Sequence, residues 1–379
     1  MCGIAGMLNV NGRPPAVADM RAMCAAMVHR GPDSCGAYRS PDGGAALGFR
    51  RLRIIDLTAN ASQPMPSEDG AVRVVFNGEI YNFRELREGL LQRGHRFRSR
   101  SDTETIAHLY EEKGAECVDD LDGMFAIAIW DERASRLVLA RDRAGKKPLF
   151  YYQGEGVFAF ASEIKAFFGQ PDLSIDIDPA AVPYYFLHGY VPGPQTFYAR
   201  VFQVAPGTRM TIDGDGRIET RRYWRIEYPK AGDARTMTRG GAIAGVRERL
   251  TRAVEKRLVS DVPLGAFLSG GVDSTIVVGI MSRLMAEPVK TFSIGFEGDT
   301  AYDETRYGLM SRPMKARALP AAAEPNDRAP KINWTAGGAV KRESAEADLD
   351  RQFRNERKVA LRAAHRTTLL RSPNPRGTR

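Results

Sequence analysis

Cysteine is scarce in this sequence: 379 residues carry only 4, at positions 2, 24, 35 and 117, and no two form a CxxC pair. That excludes a disulfide-stapled scaffold and a zinc-ribbon module, which need paired or clustered thiols. Long apolar runs are missing as well. Stretches such as 124–130 and 264–268 fall far short of the roughly 20 residues that span a bilayer, so no membrane partner is expected. The opening MCGIAGMLNVNGRPP has no basic lead and breaks its apolar run at once, unlike a secretory signal. A cytoplasmic chain with reduced thiols is the expectation.

Most of the chain also lacks an excess of either charge. The formal net charge is +9, yet residues 312–379 hold 16 basic against 7 acidic side chains, and the first 311 residues balance. Leu, Ile, Val and Phe make up about 13% of that tail, under the roughly 20% below which a charged segment does not build a core. No strand or long amphipathic helix is written there, and only 349–365 is marginally helical. A basic, disordered tail over 308–379 is predicted. A phosphate-binding arm is the other reading of the same charges, but charge alone gives only nonspecific contact, so no specific nucleic-acid partner is expected.

What is present is enough for two or three domains, with 43% apolar residues over this length. Apolar and β-branched runs at 3–8, 72–76, 125–130, 137–140 and 157–161, bounded by Gly, Asn or Asp, predict strands. Asn82 followed by Glu85 reads as a capping box, with Leu86, Leu90 and Leu91 on one face and Gly94 at the close. A second helix is predicted from Asp102 through Ile106, Leu109 and Tyr110. Strands mixed with helices point to a layered α+β domain.

Polar and proline punctuation over 169–183 marks a boundary. Beyond it, Ile243, Val246, Leu250, Val254 and Leu258 recur at helical spacing. The run VPLGAFLSGGVDSTIVVGIMSRLM and the following VKTFSIGF read as strand, Gly-containing turn, helix and strand. Such a unit belongs in a parallel α/β sheet.

Three places carry candidate chemistry. Once an initiator Met is removed, Cys2 joins a thiol to an α-amine whose ordinary pKa is about 7.7–8, so one residue supplies nucleophile and base. A cysteine at position 2 is, taken alone, more often a bystander. In FNGEIYNF, residues 76–83, Asn-Gly at a strand end suits a tight turn. It also suits an oxyanion hole, where an Asn amide and a Gly N–H converge, and spacing does not choose between the two. SGGVDS, residues 269–274, lies at a strand-to-helix junction whose small residues and helix-start amides suit phosphate oxygens. It is not a Walker loop.

Taken together, the residues resemble a family. MCGIAG, HRGPD at 29–33, RRLRIID at 50–56, NGEIYN at 77–82, SDTE at 101–104, DGMFA at 122–126, ARDRAGKKPL at 140–149, ASE at 161–163 and SGGVDS occur in order. That order resembles the glutamine-hydrolysing asparagine synthetases over about residues 1–306.

The resemblance implies a class II glutamine amidotransferase domain over 1–168 with an N-terminal nucleophile αββα sandwich. It further implies a linker over 169–240 and the start of an α/β PP-loop ATP pyrophosphatase domain over 241–307. Cys2 would attack the glutamine amide, Asn77 and Gly78 would hold the oxyanion, and Arg51 would grip the α-carboxylate. Glu79 and Asp102 would take the α-ammonium, with backbone at Ile54 and Ile55 framing the pocket. Ser269, Gly270, Gly271, Asp273 and Ser274 would hold the ATP pyrophosphate, Leu268 and Ile294 would lie beside the nucleotide, and Asp273 near Mg²⁺. ATP enters as a substrate, with no organic prosthetic group, and a homodimer is compatible with the resemblance. Tunnelled ammonia would displace AMP from adenylated aspartate.

Other singled-out residues receive structural readings. His29 is expected to make structural hydrogen bonds, ARDRAGKKPL to position a domain junction with basic residues that need not touch substrate, and Cys24, Cys35 and Cys117 to be buried or incidental thiols. Arg53 stands where the family commonly has a small polar residue, a departure beside the glutamine pocket. After DETRY, 303–307, the family pattern stops. An out-of-frame tail is the expected cause, leaving glutamine hydrolysis as the competent half-reaction and the synthetase half inactive. A different ATP-activated carboxylate as acceptor and a noncatalytic basic binding protein are the alternatives. Amidotransferases serving sugar phosphates or purine precursors would lack SGGVDS.

Overall fold

The computed structural model describes residues 1–10, 13–228, 237–293 and 334–335. It divides into two compact units, 1–263 and 264–379. No described helix is long and apolar enough to cross a membrane.

The first unit runs β1 (Gly3–Asn9), α1 (Val17–Ala25), β2 (Ser34–Arg39), β3 (Ala45–Arg51), β4 (Met65–Pro66) and β5 (Val72–Ile80). Next come α2 (Phe83–Gln92), α3 (Asp102–Lys113), β6 (Gly123–Asp131), β7 (Arg136–Arg141), β8 (Phe150–Gly154) and β9 (Val157–Ala161). It continues with α4 (Ala181–His188), β10 (Val201–Gln203), β11 (Thr208–Asp213), β12 (Ile218–Arg222) and α5 (Arg239–Glu255). Two six-stranded sheets form, β10-β8-β9-β1-β3-β2 and β12-β11-β7-β6-β5-β4, with antiparallel pairing throughout.

The strands read as unbroken apolar runs because they are buried on both faces, and the two-residue period sorts their side chains into layers. From β6, Ala126, Ala128 and Trp130 enter the core between the sheets together with Ile4 and Leu8 of β1 and Leu137 and Leu139 of β7. Phe125, Ile127 and Ile129 face the opposite way, into the core that Leu90 of α2 and Ile106 and Leu109 of α3 complete. Ala5 and Met7 of β1 meet Met20 and Met23 of α1 in a third core. Helix, sheet, sheet and helix are therefore stacked as the predicted αββα sandwich. Trp130 is fully buried between the sheets, and Trp130→Ala is expected to lower the unfolding free energy by about 3–5 kcal/mol in urea titrations.

Three local expectations are corrected. Asn82 makes no capping hydrogen bond to α2; its amide donates to the Asp120 carbonyl and accepts the Asp122 N–H, each at 2.9 Å, stitching a distant loop instead. Residues 169–240 do more than link, since β10 joins the first sheet and β11 and β12 extend the second. The stripe on α5 is only partly covered, with Val254 buried and Ile243 and Val246 exposed.

In the second unit, β13 (Gly265–Phe267), α6 (Val272–Leu284) and β14 (Lys290–Phe292) give the predicted strand–turn–helix–strand. β13 and β14 pair in parallel, Ala266 opposite Thr291. β15 (Trp334–Thr335) pairs with β14, a short strand within a tail where none was expected. The rest of 308–379 lies outside the described residues.

Candidate active site

β1 begins one residue after Cys2, and its pairing with β3 sets Gly3 opposite Arg50. The thiol therefore rests where β3 runs out. Cys2 Sγ accepts the Leu52 N–H at 3.4 Å and faces the Leu52 carbonyl at 3.6 Å.

Two motifs fix this end of β1. The buried Arg30 of HRGPD donates to the Cys2 carbonyl at 2.9 Å and to Glu163 of ASE at 3.0 Å. His29 meets the same carboxylate at 2.8 Å, which is the structural role expected of it. Ser162 exchanges two hydrogen bonds with Ile4, accepting its N–H at 3.0 Å and donating to its carbonyl at 2.9 Å. Gly31 lies so close to β3 that a Cβ there would meet the Arg50 carbonyl carbon at 2.4 Å.

Cys2 opens on a cavity of about 220 Å³, below the roughly 300–1,000 Å³ of pockets that take drug-sized ligands and suited to a molecule of amino-acid size. Arg51, Ile54, Ile55, Asn77, Gly78, Glu79 and Asp102 all line it, so the structure brings together every residue assigned from sequence to the glutamine pocket. Asn77 is 1% exposed, and its side-chain Nδ2 has no hydrogen-bond partner among the described residues. A buried donor left unpaired costs about 1–3 kcal/mol. Gly78 is required sterically, because a Cβ would lie 2.1 Å from the Met124 carbonyl oxygen across the β5–β6 pair.

Electrostatics grade the cavity from end to end. Asp102 starts α3 and accepts the Ile80 N–H at 3.0 Å; burial, with Glu79 close by, pushes its carboxyl up to about 6 against that hydrogen bond. Burial also raises Glu79, although Lys147 opposes it. Lys147 is itself lowered, chiefly by burial. The Cys2 thiol is raised by burial against the pull of the Leu52 N–H, so it needs a base to react at neutral pH. Arg51 donates to the carbonyls of Asp56 and Thr58, fixing the wall that carries Ile54 and Ile55.

Sequence reasoning missed three contributors. Lys147 lines the cavity, a place the reading of its motif as a domain junction did not assign to it. Asp142 accepts the N–H groups of Ala144, Lys146 and Lys147, and this turn turns Lys147 inward. Gln63 joins the two walls, accepting the Phe76 N–H at 2.6 Å and donating to Thr103 at 3.1 Å. Asp261 accepts the Asp56 N–H at 2.7 Å and donates its own N–H to the Ile54 carbonyl at 3.0 Å. The Ile54–Asp56 loop is thus clamped by the segment that leads into the second unit. Arg53, beside that loop, donates its N–H to Asp33 at 2.8 Å.

In the second unit, Ser269 to Ser274 span the turn after β13 and the first residues of α6. Ser269 and Ser274 hydroxyls lie 3.0 Å apart, and the Gly271 N–H donates to Ser269 at 3.3 Å. Gly270 takes φ +81°, a left-handed turn that favours glycine. Asp273 stands in the first turn of α6, and Leu268 is buried beside the loop. Ile294 lies outside the described residues.

A family model described as a glutamine amidotransferase domain matches residues 1–224. The chain belongs to that family. A second model, asparagine synthase, matches residues 245–309. Glutamine-hydrolysing asparagine synthetase 1 of Bacillus subtilis is 39% identical over 303 residues, covering 78% of this chain and 46% of that protein. Glutamine-hydrolysing asparagine synthetase 3 of the same organism is 35% identical over 310 residues, covering 80% and 49%. The chain spans about half the length of these curated relatives. Among solved structures, the B. subtilis glutamine phosphoribosylpyrophosphate amidotransferase complexed with ADP and GMP aligns at 18% identity with a TM-score of 0.45, covering 78% of this chain and 67% of that one.

Proposed function

We propose that the amidotransferase domain hydrolyses glutamine at Cys2. The observation that carries this reading is the unpaired, buried Asn77 amide lining the same cavity as the Cys2 sulfur. With Met1 removed, the Cys2 α-amine takes the thiol proton as sulfur attacks the glutamine carboxamide carbon. Negative charge develops on the carboxamide oxygen, where Asn77 Nδ2 and the Gly78 N–H receive it. The amine then returns its proton to the leaving nitrogen, releasing ammonia and a γ-glutamyl thioester, which water cleaves to glutamate. Arg51 takes the α-carboxylate, while Glu79 and Asp102 take the α-ammonium. A glutamine analogue carrying an electrophilic ketone is expected to add once per chain, at a Cys2 that mass mapping shows to be the amino terminus. Modification elsewhere, or retention of Met1 in active protein, would refute the assignment.

The carboxyl of Asp102 gives this pocket a pH dependence. Its pKa of about 6 means that it is charged above that pH and attracts the ammonium, and is neutral below it. The KM for glutamine is therefore expected to rise as pH falls through 6, and Asp102→Asn to flatten that limb in initial-rate measurements.

For the second unit, we read Ser269–Ser274 as the cradle of an ATP pyrophosphate, with Asp273 the oxygen donor for a Mg²⁺ ion brought in with the phosphates. The acceptor proposed from the relatives' names is aspartate, its activated carboxylate receiving the ammonia in a cytoplasmic synthesis of asparagine. In this chain, where the asparagine synthase model matches only residues 245–309, glutamine hydrolysis is the half-reaction we propose to be competent.

A further inference from the structure

Outside the cavity lining, four side chains converge that the amidotransferase reaction does not use. Glu68 comes from the turn between β4 and β5, His95 from the loop after α2, and His108 and Glu111 from one face of α3, three residues apart. Their nearest ligand atoms all lie within 4.8 Å of one another. His108 Nδ1 is 3.1 Å from Glu111 and 3.6 Å from Glu68; His95 Nδ1 is 3.3 Å from Glu68 and 3.7 Å from Glu111. A tetrahedral ion with arms of about 2.0–2.1 Å sets its ligands about 3.3–3.4 Å apart, and the four separations here, 3.1 to 3.7 Å, bracket that value.

The far nitrogens give an independent observation. Histidines that ligate a metal almost always turn the other ring nitrogen to a carboxylate, carbonyl or water. Here His95 Nε2 meets Glu112 at 3.1 Å, whereas His108 Nε2 points toward Glu104 at 3.8 Å without a hydrogen bond. Both outer carboxylates are anchored. Arg93 holds Glu112 at 2.6 Å, and Glu104 accepts the Arg98 and Ser99 N–H groups at 2.7 Å each. Ring contacts fix the imidazoles further, with His108 4.9 Å from His95 and 4.4 Å from Phe97 between centroids.

A surface ion-pair network explains less. It supplies one acceptor for each of the four ring nitrogens, but it does not call for both Nδ1 atoms to lie within 3.1–3.7 Å of the same two carboxylates. The geometry points to a structural site for a divalent ion of the zinc type, formed by Glu68, His95, His108 and Glu111. Two imidazoles and two carboxylates suit Zn²⁺ in tetrahedral coordination. The ion ties the β4–β5 turn and the exit of α2 to α3, the helix whose first turn carries Asp102 into the cavity.

The test is competition between a chromophoric chelator and the full chain, stripped with EDTA and titrated with Zn²⁺. One ion per chain is expected, with affinity falling roughly 100-fold or more in His95→Asn and in Glu68→Gln. Both side chains sit at the partly exposed rim, and circular dichroism confirms folding. Zn²⁺ is also expected to raise the thermal midpoint of the wild type and not of the variants. Should a variant fail to fold, Co²⁺ bound to the wild type decides. Strong visible bands of a four-coordinate ion without thiolate charge transfer support the site; faint six-coordinate bands, or a thiolate band from Cys24 or Cys35, overturn it. Wild type that binds no Zn²⁺, or binds no better than both variants, also overturns it.

Discussion

Cys2→Ala is expected to reduce ammonia release from glutamine by about 10⁴-fold or more, the scale on which loss of a covalent nucleophile acts in hydrolases. The effect is large because one residue supplies both functions: with sulfur gone, the α-amine remains as a base with nothing to activate. Folding should survive, since the thiol's partners are the two backbone groups of Leu52 at 3.4 and 3.6 Å and Arg30 holds the Cys2 backbone carbonyl rather than the side chain. Binding should survive too, because Arg51, Glu79 and Asp102 are untouched. Glutamine is therefore expected to raise the thermal midpoint of the variant as it does that of the wild type, while turnover vanishes. Unchanged ammonia release would remove Cys2 from the reaction altogether.

The sequence displays those parts of this arrangement that are local. β6 and β7 were legible as strands because double burial leaves apolar runs, and SGGVDS was legible as a strand-to-helix turn because its neighbours in sequence are its neighbours in space. The two readings of the Asn-Gly pair part only in the fold, which sets Asn77 and Gly78 within β5 and leaves the buried Asn77 Nδ2 without a partner, in support of the oxyanion role we propose. Asn82 shows the reverse. Its spacing to Glu85 fits a cap, yet Asp120 and Asp122 win its amide from some forty residues away, a contact that no local pattern encodes.

Lys147 and Asp261 were illegible for a related reason. Nothing in ARDRAGKKPL tells which of two adjacent lysines turns inward; the Asp142 carboxylate does, by gathering the N–H groups of the turn. Asp261 sits in a stretch whose only local signal is the approach to the next strand, and its two hydrogen bonds reach back to Ile54 and Asp56. Through that loop, and through Leu52 beside it, the entry to the second unit is mechanically joined to the residues around the thiol. The loop that carries Ile54 and Ile55 to the pocket is thus held by a residue that follows α5, although every residue lining the pocket lies between Met1 and Lys147 in the chain.

Asn77→Ala is expected to lower kcat by about 10²–10³-fold with little change in KM, as removal of one oxyanion donor does. KM holds because, in the proposed binding mode, Arg51, Glu79 and Asp102 recognise the glutamine α-groups and the amide acts on charge that appears only as sulfur attacks. The accompanying stability change separates this role from a structural one. Truncating a buried, fully paired Asn exposes an unsatisfied partner and destabilises. Here the Nδ2 donor has no partner to strand, so its removal relieves about 1–3 kcal/mol of uncompensated desolvation and offsets much of the lost packing. The variant should therefore unfold within about 1 kcal/mol of wild type in urea while being nearly inactive, as when a site keeps a strained group for catalysis. A variant that loses stability and activity in parallel would instead make Asn77 a structural residue of β5.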